Sequence, residues 1–230
     1  MSIKYTAWAD PLLNYINADL ANTSGGATSL LTPINYNADI FANEAKFFTG
    51  NYGFDGYIGV PGLQGNNAQQ AAAQYNVAWE SVDPNLNPAL RALTSAASVI
   101  GASSSYGANL LLQDTMPLVL SYPVLPTTLD ADGSDFEVTL NDGSIVTPLV
   151  ASLLPNLEYN ERQTVVIIGD FGNRLKPEET GARYPVSVRV VNDNTPLQML
   201  SAKGPVDAVG LNIASQNPYV EGNGPKLVAA

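Results

Sequence analysis

Apolar residues change their spacing about 90 residues into this chain. In residues 7–21, Trp8, Leu12, Ile16 and Leu20 recur at every fourth position with Leu13 beside them, the stripe of one helix face. Asp10 then reads as the N-cap and Pro11 as the first helical residue, where proline's fixed φ fits and its missing N–H costs nothing. Residues 37–48 repeat the theme through Ile40, Phe41, Ala45 and Phe48, and predict a second helix. Residues 68–82 are rich in Ala and Gln, with Tyr75 and Trp79 four apart, and predict a third by propensity. Between the second and third, residues 49–67 interleave glycines with Tyr52, Phe54 and Tyr57.

From Leu90 onward the period drops to two and β-branched residues dominate. Residues 118–122 form one candidate strand, followed by a proline-bounded Val124-Leu125. Residues 136–140 alternate, Asn141-Asp142-Gly143 turns, and residues 144–147 return. Asn, Asp and Gly accept positive φ, so this triplet between alternating runs predicts a hairpin. Residues 164–168 are apolar almost throughout and predict a strand buried on both faces. Residues 184–191 place Val186, Val188 and Val190 on one face, with Ser187, Arg189 and Val191 on the other. Residues 206–213 and 226–230 carry weaker strand patterns. Short strands separated by turn signals favour an antiparallel sandwich over a parallel sheet.

Three stretches carry a resemblance: Leu93 to Val99, Leu118 to Leu125, and Ser134-Asp-Phe-Glu-Val-Thr-Leu-Asn-Asp-Gly143. Together they are similar to bacterial Ig-like domains, modules of large surface and adhesin proteins. Residues 101–114 depart from that pattern as a long connection between two strands. The resemblance implies a scaffold or binding role and, by itself, no chemistry. The expected fold is therefore α+β: a mostly helical, Gly- and Asn-rich region over 1–89 and an antiparallel Ig-like β-sandwich over 90–230.

Composition narrows the function. The chain has 230 residues and contains neither His nor Cys, which removes the Ser-His-Asp triad, the Cys nucleophile, the tetrahedral zinc site and the iron–sulfur cluster. Ten Lys+Arg stand against 21 Asp+Glu, a formal charge of −11, so clustered cations for nucleic acid are missing. No run of about eighteen apolar residues would cross a membrane. Only 13% of residues are charged, against roughly 25% in an average soluble domain. With 19 Gly and 16 Pro, polarity comes from small turn formers, which points to a turn-rich extracellular or cell-surface protein. Residues 1–10 show no basic stretch followed by an apolar segment, the mark of an N-terminal secretory signal. The tail Lys226-Leu-Val-Ala-Ala230 resembles the uncleaved C-terminal signal of type I secretion substrates, and reads equally as a last strand. As an exposed edge it would suit self-association or pairing with other surface proteins.

Two oxygen-rich segments are candidate metal ligands. Asp130-Ala-Asp132-Gly133-Ser134-Asp135 gathers three carboxylates before a strand, a donor set suited to Ca²⁺. It is not an EF-hand loop: counting from Asp130, Gly133 stands at position four rather than six, and Asn141 replaces the bidentate Glu. Asn192-Asp193-Asn194-Thr195-Pro196 resembles the Ca²⁺-holding junction of cadherin-like repeats, which implies further acidic ligands, with Glu158, Glu161 and Asp170 as conjectural suppliers. Both segments also read as plain Asx turns.

A second candidate site is the cluster Phe47, Asn51, Tyr52, Phe54, Asp55 and Tyr57. Rings flanked by amides and carboxylates are what glycan binding uses, so the alternative to surface assembly is a carbohydrate-binding module; the same rings would also serve as core. Asp170-Phe171-Gly172 resembles the kinase magnesium motif but lacks every companion segment. A polysaccharide hydrolase would need two carboxylates about 5–9 Å apart, and no pair among the 21 acids is singled out. The leading expectation is a non-enzymatic, exported structural protein of assembly or adhesion, with Ca²⁺ as its candidate cofactor.

Overall fold

A computed structural model describes residues 42–50, 60–63, 66–75, 79–81, 90–92, 98–154, 162–173, 175, 177–201 and 203–215. Its elements run β1 (Phe47–Gly50), α1 (Ala68–Gln74), β2 (Trp79–Ser81), β3 (Leu90–Ala92), α2 (Val99–Tyr106) and β4 (Asp114–Leu120). After a 3₁₀ turn (Pro126–Thr128) come β5 (Phe136–Leu140), β6 (Ile145–Val146), β7 (Val150–Ser152) and β8 (Thr164–Gly169). The last are β9 (Pro185–Val190), β10 (Gln198–Ser201), β11 (Gly204–Asp207) and β12 (Asn212–Ala214). One four-stranded sheet has the order β1-β4-β8-β7 and another β12-β9-β5-β6; β10-β11 and β2-β3 are hairpins. Every strand pair among the described residues is antiparallel. The fold is thus β-rich with a minor helical part.

Alternation explains how the layers meet. Met116, Leu118 and Leu120 of β4 and Val165 and Ile167 of β8 share one buried cluster with Phe136, Val138 and Leu140 of β5 and Val188 and Val190 of β9. Both four-stranded sheets therefore feed one core. The intervening residues Val166 and Ile168 of β8 join Val150, Leu110 and Ala102 in a second buried cluster, on the side covered by α2. Period-two geometry sends successive side chains to opposite faces, so β8 is apolar at every step from Val165 to Ile168 because each face has a core to fill. At roughly 1.5–3 kcal/mol for each large buried side chain, these two clusters dominate stability.

The hairpin after β5 follows its sequence signal. Gly143 takes φ 83°, its N–H reaches the Leu140 carbonyl at 2.9 Å, and Leu140 N–H reaches Ser144 O at 2.9 Å. The Asp142 carboxylate accepts from Ser144 N–H at 2.9 Å, an Asx bond that closes the turn.

Three local expectations are corrected. The helix expected over 37–48 is not formed in its described part: residues 42–46 are non-helical and Phe47 enters β1. There β1 pairs with β4 through Phe47↔Leu120, Thr49↔Val119 and Gly50↔Leu118, and Ser121 donates from N–H to Lys46 O (2.9 Å) and from Oγ to Glu44 O (2.8 Å). Sheet pairing and half-burial override a weak 3.6-residue pattern. The helix expected over 68–82 stops at Gln74, and Trp79–Ser81 is β2. The third is α2, which fills much of the stretch 101–114, expected only as a long connection between two strands. Its Ser98 Oγ accepts from Gly101 N–H at 3.3 Å, and Gly107 ends it in the left-handed conformation at φ 67°. These are standard start and stop devices. Replacing Ser98 by Ala removes the cap and is expected to cost about 1 kcal/mol in urea denaturation; an unchanged midpoint would show the cap to be idle.

Candidate metal centre

The two acidic segments are 58 positions apart at their nearest cluster members, Asp135 and Asp193, yet the sheet brings them together. β5 and β9 pair antiparallel from Phe136↔Val190, so the residue before β5 faces the residue after β9. Val191 N–H donates to Asp135 O at 2.8 Å, and the chain runs directly on to Asn192-Asp193-Asn194. As a result, Asp130, Asp135 and Asp193 each place a carboxylate oxygen within 4.8 Å of the others. Such a group of three could hold a metal ion.

Local bonds shape the cluster. Asp135 is fully buried; its Oδ2 accepts from Asp130 N–H at 2.7 Å, whereas its Oδ1 is buried without a hydrogen-bond partner. Asp193 Oδ1 accepts from Thr195 N–H at 2.8 Å and its Oδ2 from Ser134 Oγ at 3.1 Å. The loop between Asp130 and Asp135 needs glycine at 133: φ is 75°, and a Cβ there would lie 2.7 Å from the Pro148 carbonyl oxygen.

Electrostatics set the protonation. Burial pushes the Asp135 carboxyl up to about 7; the bond from Asp130 N–H opposes this, and the charges of Asp193, Asp130 and Asp132 add to it. Asp130 is raised as well, first by burial, then by its hydrogen bond to the Asp193 carboxyl and the charges of Asp193 and Asp132. Removing carboxylates from water and crowding them disfavours the charged form. A divalent cation removes both penalties. Oxygens on opposite sides of one Ca²⁺ lie about 4.6–5.2 Å apart, twice the usual bond length of about 2.3–2.6 Å. Oxygens that all lie within 4.8 Å of one another are close enough to share one such ion.

The other sequence candidates fall elsewhere. Asp132 is exposed and stands outside the trio, its Oδ1 accepting from Ser134 N–H (3.1 Å) and Ser134 Oγ (2.7 Å), bonds that lower its pKa. Asn192 and Asn194 are exposed and flank Asp193 without joining the carboxylate group. Asp170 binds Arg183 Nη1 at 3.2 Å instead of the cluster, and Glu158 and Glu161 lie outside the described residues. Phe47 belongs to the main core at 8% exposure, so its ring packs rather than offering a face to a sugar. Asn51, Tyr52, Phe54, Asp55 and Tyr57 of that loop, and residues 226–230, also lie outside the described residues.

Both acidic segments of the candidate metal centre stand out in the sequence, but their meeting does not. The signal was present: the strand pattern opens immediately after Asp135, and another closes immediately before Asn192. Only the pairing of those strands was missing. Among the described residues no helix is long and apolar enough to cross a membrane. The chain matches no family model, no curated protein and no solved structure.

Proposed function

We propose that this chain is a non-catalytic, exported β-scaffold acting in surface assembly or adhesion, with one loop end fixed by Ca²⁺ bound to Asp130, Asp135 and Asp193. The observation that carries it is the fully buried Asp135, whose Oδ1 lacks a partner beside two other carboxylates. A buried polar atom left unsatisfied costs about 1–3 kcal/mol, and a cation supplies the missing interaction. Calcium suits the donor set better than zinc or copper, since oxygen is its preferred ligand and the chain has no His or Cys. Sites of this kind on extracellular modules bind at about 0.1–1 mM, which agrees with the acidic, turn-rich composition and the resemblance to Ig-like surface domains.

The test is thermal melting at neutral pH in EDTA and in excess Ca²⁺. Binding to the native state alone stabilises by RT ln(1 + [L]/Kd), about 2.7 kcal/mol at a hundredfold excess over Kd. Asp193→Asn should abolish the response without lowering the EDTA melting temperature, because it relieves repulsion. An identical transition in both buffers for the unaltered protein rejects the cation. Self-association is read separately by sedimentation in Ca²⁺, where a monomer at high concentration leaves only adhesion.

A further inference from the structure

An open groove of about 580 Å³ is lined by Asn192, Asn194 and Thr195, the sequence neighbours of Asp193, and by Thr128, Gln198 and Asp207. We infer that this groove binds a neutral saccharide, and that the cation on Asp193 holds its wall in place. The inference rests on the Ca²⁺ reading above and adds a ligand to it.

The lining selects the chemistry. Among the described residues neither Lys nor Arg lines the groove, which disfavours phosphates, nucleic acids and carboxylated ligands. It offers no aromatic rail for a proline-rich peptide and no wide apolar trough for a helix among the described residues. Its polar side chains are amides, hydroxyls and the Asp207 carboxylate, and these divide into two sets. Gln198 Nε2 donates to Asp207 Oδ1 at 3.1 Å, while Thr128 Oγ1 donates to Leu125 O at 2.8 Å and accepts from Gln198 N–H at 2.9 Å. Those side chains make a fixed floor. Asn192 and Asn194 are exposed, and neither amide makes an internal hydrogen bond among the described residues. A carboxamide presents donor and acceptor side by side, the complement of neighbouring sugar hydroxyls. Pro196 and Val209 add apolar surface for the C–H face of a ring. The volume lies within the usual range of about 300–1,000 Å³ for small-molecule sites, and the open sides let a longer glycan run through.

The coupling follows from one side chain. Asp193 belongs to the carboxylate trio and also accepts from Thr195 N–H at 2.8 Å, so the residue that meets the cation also holds the loop containing both asparagines. Without a cation the three carboxylates repel, which works against the position of Asp193 and of the wall it holds. With it the wall is preorganised, which lowers the ordering cost of binding. The linkage is reciprocal: saccharide tightens Ca²⁺ by the same factor.

The experiment uses the full chain on an array of neutral oligosaccharides of glucose, galactose, mannose and N-acetylglucosamine, in 2 mM Ca²⁺ and in EDTA, followed by calorimetry on the best binder. The expected result is binding in Ca²⁺ that weakens at least tenfold in EDTA. Asn192→Ala/Asn194→Ala should lose at least tenfold in affinity while keeping the Ca²⁺-induced rise in melting temperature, which shows the fold and the cation site intact. No binding to any member of the array, beside a normal Ca²⁺ melting response, overturns the groove and leaves the cation reading standing. Equal binding in EDTA, or undiminished binding by the double variant, overturns the inference as well. Absence of any Ca²⁺ melting response marks failure of the cation reading instead.

Discussion

In cation-free buffer the protein is expected to melt at a higher temperature near pH 5 than near pH 7.5, and millimolar Ca²⁺ is expected to reverse that order. The folded state raises the Asp135 carboxyl from its ordinary 3.8 to about 7. Between those values the folded chain binds more protons than the unfolded one, and stability therefore falls as pH rises. The contribution is fully present below the unfolded value and is lost as pH passes through the folded one. A shift from 3.8 to about 7 at about 1.4 kcal/mol per pH unit sets an upper size on the order of 4 kcal/mol. Asp130 is raised too and acts in the same direction.

Calcium needs all three carboxylates deprotonated, so its binding strengthens as pH rises. The ion replaces the proton as the group that makes burial tolerable, and the slope changes sign. Asp135→Asn isolates the effect from the general acidity of a chain with net charge −11. Its amide oxygen still accepts from Asp130 N–H, but it has no charge to bury. In EDTA at pH 7.5 the variant should melt above the unaltered protein, lack most of the pH slope and ignore Ca²⁺. Scanning fluorimetry at several pH values reads all three. A melting temperature in EDTA that climbs steadily from pH 5 to 7.5 would contradict the buried, protonated carboxyl.

Gly172→Ala is the second large effect, expected at roughly 3–5 kcal/mol in guanidinium denaturation. Gly172 has φ 152°, and a Cβ there would come within 2.0 Å of the Arg183 carbonyl oxygen and 3.2 Å of Tyr184 Cα. Both obstacles are main chain, so no rotamer change clears them. The approach is fixed from both sides. Asn173 N–H donates to Arg183 O at 3.0 Å, Arg183 N–H donates to Asn173 Oδ1 at 3.0 Å, and Asn173 Nδ2 donates to Gly181 O at 2.7 Å. The preceding Phe171 is buried in the core and donates its N–H to Asp114 Oδ2 at 3.1 Å. Gly143→Ala is the control: φ is 83°, but nothing lies within 4 Å of the added carbon, so only backbone strain of about 1 kcal/mol remains. Equal losses in the two variants would mean that the loop after β8 has room to spare.

These residues show what the chain makes readable. The β5 alternation Phe-Glu-Val-Thr-Leu ends on a glycine turn, and the element spans 136–140 as its pattern predicts. Residues 164–168 announce a doubly buried strand because no polar side chain interrupts them after Thr164. Local chemistry fails where tertiary pairing decides. Phe47-Phe48-Thr49 fits a helix stripe or a strand, and β4 settles the matter from 70 residues downstream. In α2 the sequence Ala102-Ser-Ser-Ser105 has no apolar stripe to notice; its cap serine and terminal glycine were the readable marks. The Asp-Phe-Gly segment belongs to main-chain packing. At the candidate metal centre each acidic segment is visible alone, and what the sequence hides is adjacency.

One consequence attaches to β8. Because Val165 and Ile167 belong to one core and Val166 and Ile168 to the other, peeling this strand away exposes both at once. Neither layer can open while the other stays shut. The amide protons of residues 165–168 should therefore exchange with deuterium only when the whole molecule unfolds, at a rate that reports its global free energy. They are the natural gauge for any ligand: whatever clamps the acidic loops slows exchange at β8 by the same factor as it shifts the unfolding equilibrium.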